Sequence, residues 1–78
     1  MKFGDLIKAR RDALGLTLQE VGDASGITKG HLHDLEHGRH INPGLYTCAR
    51  LALALGLTVQ GMAAALIESH EGEQDGKR

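Results

Sequence analysis

The chain has 78 residues, 41% of them hydrophobic and 24% charged, with a formal net charge of −1 at pH 7. That length bounds it to one domain, close to the size at which a small core needs efficient packing or a second chain to help. The near-neutral charge excludes a crude polycation for nucleic acid, and no apolar run is long enough for a membrane span, so no membrane partner is expected. The first residues, MKFGDLIKARR, hold no apolar leader before a cleavage site, and the lone Cys48 has no partner for an internal disulfide; both point to a reducing, cytoplasmic compartment.

Aromatics are only 3% of the chain and aliphatic residues recur at helical spacing, which predicts an all-α protein. A first helix is predicted over about Phe3 to Leu14, with Leu6, Ile7, Arg10 or Arg11, and Leu14 in register and Gly15 as its stop. The second starts at Thr17, which with Glu20 three residues on makes a capping box that satisfies two orphan amides. Leu18, Val21 and Ala24 supply its apolar side, and Gly26 can take the left-handed conformation that ends a helix without a Cβ penalty. Thr28 caps a third helix that buries Leu32 and Leu35 and stops at Gly38. Two short helices joined by about three or four residues have the form of a helix-turn-helix.

Asn42-Pro43-Gly44 then turns the chain into a fourth helix, Leu45 to Leu55, burying Leu45, Cys48, Ala52 and Leu55 and ended by Gly56. On that apolar side Cys48 reads as a buried thiol, not a nucleophile. A fifth helix starts at the cap Thr58 and runs to about Glu68, with Val59, Met62, Ala63 and Leu66 inward. Residues 1–68 are thus the folded domain, and 69–78, polar and glycine-containing, a disordered tail. Residues 1–67 carry seven Lys and Arg against six Asp and Glu, while the segment from Glu68 carries four acids and two bases. Four of the five histidines, His31, His33, His37 and His40, lie at or just after the third helix, where protonation near a phosphate backbone adds positive charge.

Three blocks in this order, GLTLQEVGDASGITKGHL, LEHGR and NPGLYTCARLALALGL, resemble the lambda repressor and Cro-like helix-turn-helix family of bacterial and phage transcriptional regulators, over Phe3 to Ile67. The resemblance implies a five-helix domain whose third helix, Thr28 to His37, enters the major groove of double-stranded DNA while the second crosses the backbone. Carried over position by position, it makes Lys29, Gly30, His33 and Asp34 base-facing, with His40 where some relatives reach a base. Lys29 would donate to guanine O6 and N7, and Asp34 would accept from cytosine N4. The phosphate positions are the amides of Thr17 and Leu18, with Thr28, His31, His37 and Arg39, and helix dipoles assist. Glu36 matches a family glutamate that bridges to an arginine on the first helix, here Arg11. The chain departs from the pattern at Leu18, often a glutamine in relatives, and at Gly30, which has no side chain to read with. Asp34 faces a polyanion and is equally suited to repel nonspecific DNA.

Two other patterns compete. His33 to His37 spells H-x-x-E-H, a zinc-peptidase pattern, but such a site needs a further protein ligand and a walled cavity, so no metal, cofactor or enzymatic activity is expected. Tyr46, Ala49 and Leu53 on the fourth helix and Ala64, Ala65 and Ile67 on the fifth lie away from the expected buried stripes. They are either scattered surface apolars or a self-complementary dimer patch; the patch is preferred because one helix-turn-helix reads few bases. The sequence thus reads as a small dimeric repressor on a pseudo-palindromic operator, its recognition helices about 34 to 36 Å apart. The alternative is a protein-interaction module, such as an antitoxin-like partner, that uses the fourth and fifth helices.

Overall fold

The computed structural model describes residues 1–39 and 42–75, with side chains to residue 71. Among them five α-helices follow in order: α1 Phe3–Ala13, α2 Leu18–Ser25, α3 Lys29–Glu36, α4 Leu45–Leu55 and α5 Val59–Asp75. The helix-turn-helix is α2 and α3, and its boundaries have local chemical causes. The Glu20 amide donates to Thr17 Oγ1 at 3.1 Å and the Thr17 amide donates to Glu20 Oε1 at 2.9 Å, a complete capping box. Gly26 ends α2 at φ +75, and the amides of Gly26 and Ile27 both return to the Gly22 carbonyl. Thr28 Oγ1 accepts the His31 amide at 3.2 Å and opens α3, as Thr58 Oγ1 accepts the Gly61 amide at 2.9 Å and opens α5.

The core joins all five helices, with Ile7, Val21, Leu32, Leu35, Leu51, Leu55 and Met62 fully shielded from solvent. Helix α1 packs on α3 and α5, α2 on α3 and α4, and α4 on α5. Several inward positions differ from those predicted. Leu14 and Leu45 are exposed, because each stands at the end of its helix where no neighbouring element covers it. In α2 the buried position is Ser25, not Ala24; its hydroxyl donates to the Val21 carbonyl at 2.7 Å, which removes the cost of burial. In α5 the inward stripe is Met62, Ala65, half-buried Leu66 and Ser69, so Val59 and Ala63 face out and Ala65 faces in.

Ser69 also carries α5 beyond the predicted end near Glu68. Lys2 provides no side-chain cap for α1, and the Phe3 amide donates instead to Ser69 Oγ at 2.9 Å, while that hydroxyl donates to the Ala65 carbonyl at 3.0 Å. A helix start is therefore satisfied by a serine 66 residues away.

Two glycines set how closely the helices approach. A Cβ on Gly4 would lie 2.6 Å from the carbonyl oxygens of both Leu35 and Glu36, and one on Gly22 would lie 2.6 Å from the Ile27 carbonyl oxygen. Neither obstacle is a side chain that can swing away, so α1 rests directly on the last turn of α3. Helix ends elsewhere are closed by arginines: Arg10 Nε donates to the Leu55 carbonyl at 2.7 Å, and Arg50 Nε to the Ser25 carbonyl at 3.1 Å. Both guanidinium groups complement the negative end of a helix dipole.

Candidate nucleic-acid interface

The turn between α2 and α3 leaves α3 with one face against α1 and α2 and the other toward solvent. Leu32, Leu35 and Glu36 are buried on the inner face. Arg11 Nε donates to Glu36 Oε2 at 2.7 Å and Arg11 Nη2 to Glu36 Oε1 at 3.0 Å, a two-pronged ion pair whose carboxylate side chain is only 2% exposed. Arg11 Nη1 also donates to the Leu16 carbonyl at 3.0 Å, so one guanidinium ties α1, α3 and the start of the helix-turn-helix together. The Glu36 hydrogen bonds hold the Arg11 pKa above its ordinary value, which keeps that charge permanent.

The outer face collects most of the residues that the sequence marks for DNA. Lys29, Gly30, His31 and His37 are exposed, and His33 and Asp34 are half-exposed. The space where a Gly30 side chain would stand is open, with no atom within 4 Å of an added Cβ, so the bare backbone there has no packing cause. The His33 and His37 rings stack with centroids 4.0 Å apart, and His37 Nδ1 lies 2.8 Å from the His33 carbonyl oxygen. Beyond them the chain reverses at Gly38, φ +74: the Gly38 amide returns to the Leu35 carbonyl and the Arg39 amide to the Asp34 carbonyl at 2.9 Å. That reversal lays Arg39 back along α3, where its Nη1 lies 3.4 Å from Asp34 Oδ1.

At the start of α2, one of the two amides expected to meet phosphate already has a partner. The Thr17 amide is already engaged by Glu20, so a phosphate there must displace a carboxylate or bind beside it. The Leu18 side chain packs against the core, which leaves only its backbone for DNA. Thr28 and His31 sit together at the positive end of α3. His40 lies outside the described residues.

The H-x-x-E-H pattern is divided by the helix itself. Its two histidines face outward while Glu36 turns inward onto Arg11, and among the described residues no three potential metal ligands converge. Cys48 is buried, and that burial alone raises its thiol pKa, the opposite of an activated nucleophile.

On α4, Tyr46 and Leu53 are 77% and 80% exposed, and Ala49 lies between them on the same helical face. Leu45, which the sequence placed in the core, is also exposed there. Ala64 and Ile67 are exposed on α5, whereas Ala65 is buried and drops out of the surface. The roles of Gly4, Arg10, Arg50 and Ser69 carry no signal in sequence, since each depends on an element remote along the chain.

The helix-turn-helix family profile matches residues 7–62. The HTH-type transcriptional regulator SinR of Bacillus subtilis is 30% identical over 75 residues, covering 96% of this chain and 65% of that protein. The immunity repressor protein of Bacillus phage phi105 is 32% identical over 79 residues, 99% of this chain and 54% of the repressor. An uncharacterized HTH-type transcriptional regulator of Methanothermobacter thermautotrophicus is 41% identical over 51 residues, 65% of this chain and 72% of that one. The crystal structure of the clp gene regulator ClgR from C. glutamicum superposes with a TM-score of 0.71 at 30% identity, covering 86% of each chain. This chain spans about half to two thirds of the length of SinR and the phage repressor. These relatives are named as regulators, not as enzymes.

Proposed function

The chain belongs to the helix-turn-helix family of DNA-binding transcriptional regulators, and from that premise we propose that it is a sequence-specific repressor that binds a pseudo-palindromic operator as a homodimer. The observation that carries this reading is the division of α3: its inner face is locked by Leu32, Leu35 and the Arg11–Glu36 pair, while Lys29, Gly30, His33 and Asp34 stand on the side left open. A helix held rigidly from behind, with exposed polar residues in front, suits insertion into a major groove. Lys29 at its first turn is the leading base contact, a donor for guanine O6 and N7. Thr28, His31, His37 and Arg39 contact phosphate, and the amides at the start of α2 add to them. No cofactor is needed, and the protein acts where the DNA is, in the cytoplasm.

The homodimer uses Tyr46, Ala49 and Leu53 of α4 with Ala64 and Ile67 of α5. The support is that Tyr46 and Leu53 are more than three-quarters exposed in a chain with few large apolar groups to spare. The same exposure favours a second reading, in which this surface takes a different protein as partner.

The test is selection of bound sequences from random duplex DNA, repeated with Lys29→Ala. A defined, two-fold related consensus with wild type, altered at one position per half-site by the variant, supports the proposal. An unchanged base preference overturns the role of Lys29. Binding that is weak and equal for scrambled DNA favours the interaction module. A monomeric mass at micromolar concentration, with and without the selected DNA, removes the homodimer.

A further inference from the structure

Helix α3 carries two acids, and they have opposite surroundings. Glu36 is buried on Arg11, whereas Asp34 stands on the outer face, with its side chain 33% exposed. Its carboxylate lies 3.4 Å from Arg39 Nη1 and 3.8 Å from His33 Nδ1. The pairing with Arg39 is built into the backbone, because the left-handed turn at Gly38 returns the Arg39 amide to the Asp34 carbonyl and so brings the two side chains to the same level of the helix. Arg39 is otherwise an available cation at this end of α3, its side chain 65% exposed. Across the inner side the nearest charges are already matched: Arg11 of α1 with Glu36 and Asp12, and on α2 Glu20 with the Thr17 amide and Asp23 with Gln19. An exposed pair of this kind contributes little to folding, so its placement calls for another explanation.

We propose that Asp34 is a specificity-determining residue that acts as an internal counterion, occupying Arg39 in the free protein and lowering affinity for DNA of the wrong sequence. This rests on the reading of α3 as the DNA-reading helix. A duplex approaching this face must part Arg39 from Asp34 or take in both. Where the major groove offers an amino group, cytosine N4 or adenine N6, the carboxylate is compensated and Arg39 is released to a phosphate. Where it offers none, a carboxylate is held against a polyanion and the phosphate contact of Arg39 is opposed. Discrimination then comes from the penalty on wrong sequences as much as from contacts with the right one.

The experiment compares wild type, Asp34→Asn, Arg39→Gln and the double variant, each against the selected duplex and a scrambled duplex over a range of salt. Asp34→Asn is expected to raise affinity for the scrambled duplex about fivefold or more and to steepen the dependence of log affinity on log salt by about one. Its affinity for the selected duplex should change less, so the ratio of the two falls. In the Arg39→Gln background most of the gain should vanish. Circular dichroism and the thermal midpoint report folding, and Asp34→Ser repeats the test should Asn disturb the turn at Gly38. Scrambled-DNA affinity within about twofold of wild type overturns the inference, as does a loss confined to the selected duplex, which makes Asp34 a base reader only. Wild type without sequence preference overturns the regulator reading and this inference with it; wild type that discriminates alongside an unchanged Asp34→Asn overturns this inference alone.

Discussion

The two faces of α3 contrast in how much of their chemistry folding itself requires. On the inner face Gly4 admits the Leu35 and Glu36 carbonyls at distances no side chain allows, and Arg11 grips Glu36 with two nitrogens. On the outer face Gly30 looks into open space, and Asp34 and Arg39 meet at 3.4 Å with most of the guanidinium in water. Identity on the inner face is dictated by contact with α1, whereas on the outer face the fold is nearly indifferent. A residue that folding does not need is available for recognition, and that is why the outer face carries the functional argument.

The contrast can be broken by substitution. Gly4→Ala is expected to have the largest effect, destabilising by about 2 to 3 kcal/mol, because the overpacked backbone contact outweighs the better helix propensity of alanine. Chemical denaturation measures it, and a loss under about 1 kcal/mol would mean that α1 can lift off α3 freely. Glu36→Gln should cost about 2 kcal/mol, since the Arg11 guanidinium then faces a neutral partner in a site shielded from water. Its thermal midpoint should drop accordingly, and retention of the wild-type value would assign the pair no part in holding α3.

Gly30→Ala should move stability the other way, a gain of about 0.5 to 1 kcal/mol, as nothing obstructs the added methyl and the unfolded chain loses freedom. If the same variant also loses DNA affinity, Gly30 is kept for close approach of the duplex; if affinity is unchanged, Gly30 has no place in the interface. The smallest effect lies off both faces, at Cys48. Burial raises its thiol pKa, so the folded chain keeps a proton that the unfolded chain has already released, and stability falls as pH rises above the ordinary thiol range. Between about pH 7 and about pH 10 the thermal midpoint of wild type should decline more steeply than that of Cys48→Ala, and parallel curves would place Cys48 in contact with water.

Much of the helix-turn-helix was legible in advance because capping is local chemistry. Thr17 with Glu20, Gly26, Thr28, Gly38 and Thr58 each act within about four residues, so sequence neighbours carry the information. The faces of the helices were less legible. Periodicity finds an apolar stripe but not how far it extends, and Leu14, Leu45, Val59 and Ala63 continue a stripe past the edge of what their neighbours cover. Ala65 was misplaced for the same reason, since alanine fits either side and only the packing of α5 on α1 and α4 decides.

What the sequence by itself determined is therefore the set of helices, their starts and most of their stops, because each follows from backbone conformation and side-chain chemistry over a few residues. What only the tertiary structure decided is which groups remain on offer. Arg10, Arg11 and Arg50 bind carbonyls or Glu36 within the fold, Ser69 closes the start of α1 from the other end of the chain, and the Thr17 amide is already occupied by Glu20. Arg39, also a surface cation in sequence, is held by Asp34. A charge or a hydrogen-bond donor can be counted from composition, but whether it is free to act depends on which distant atom reaches it first.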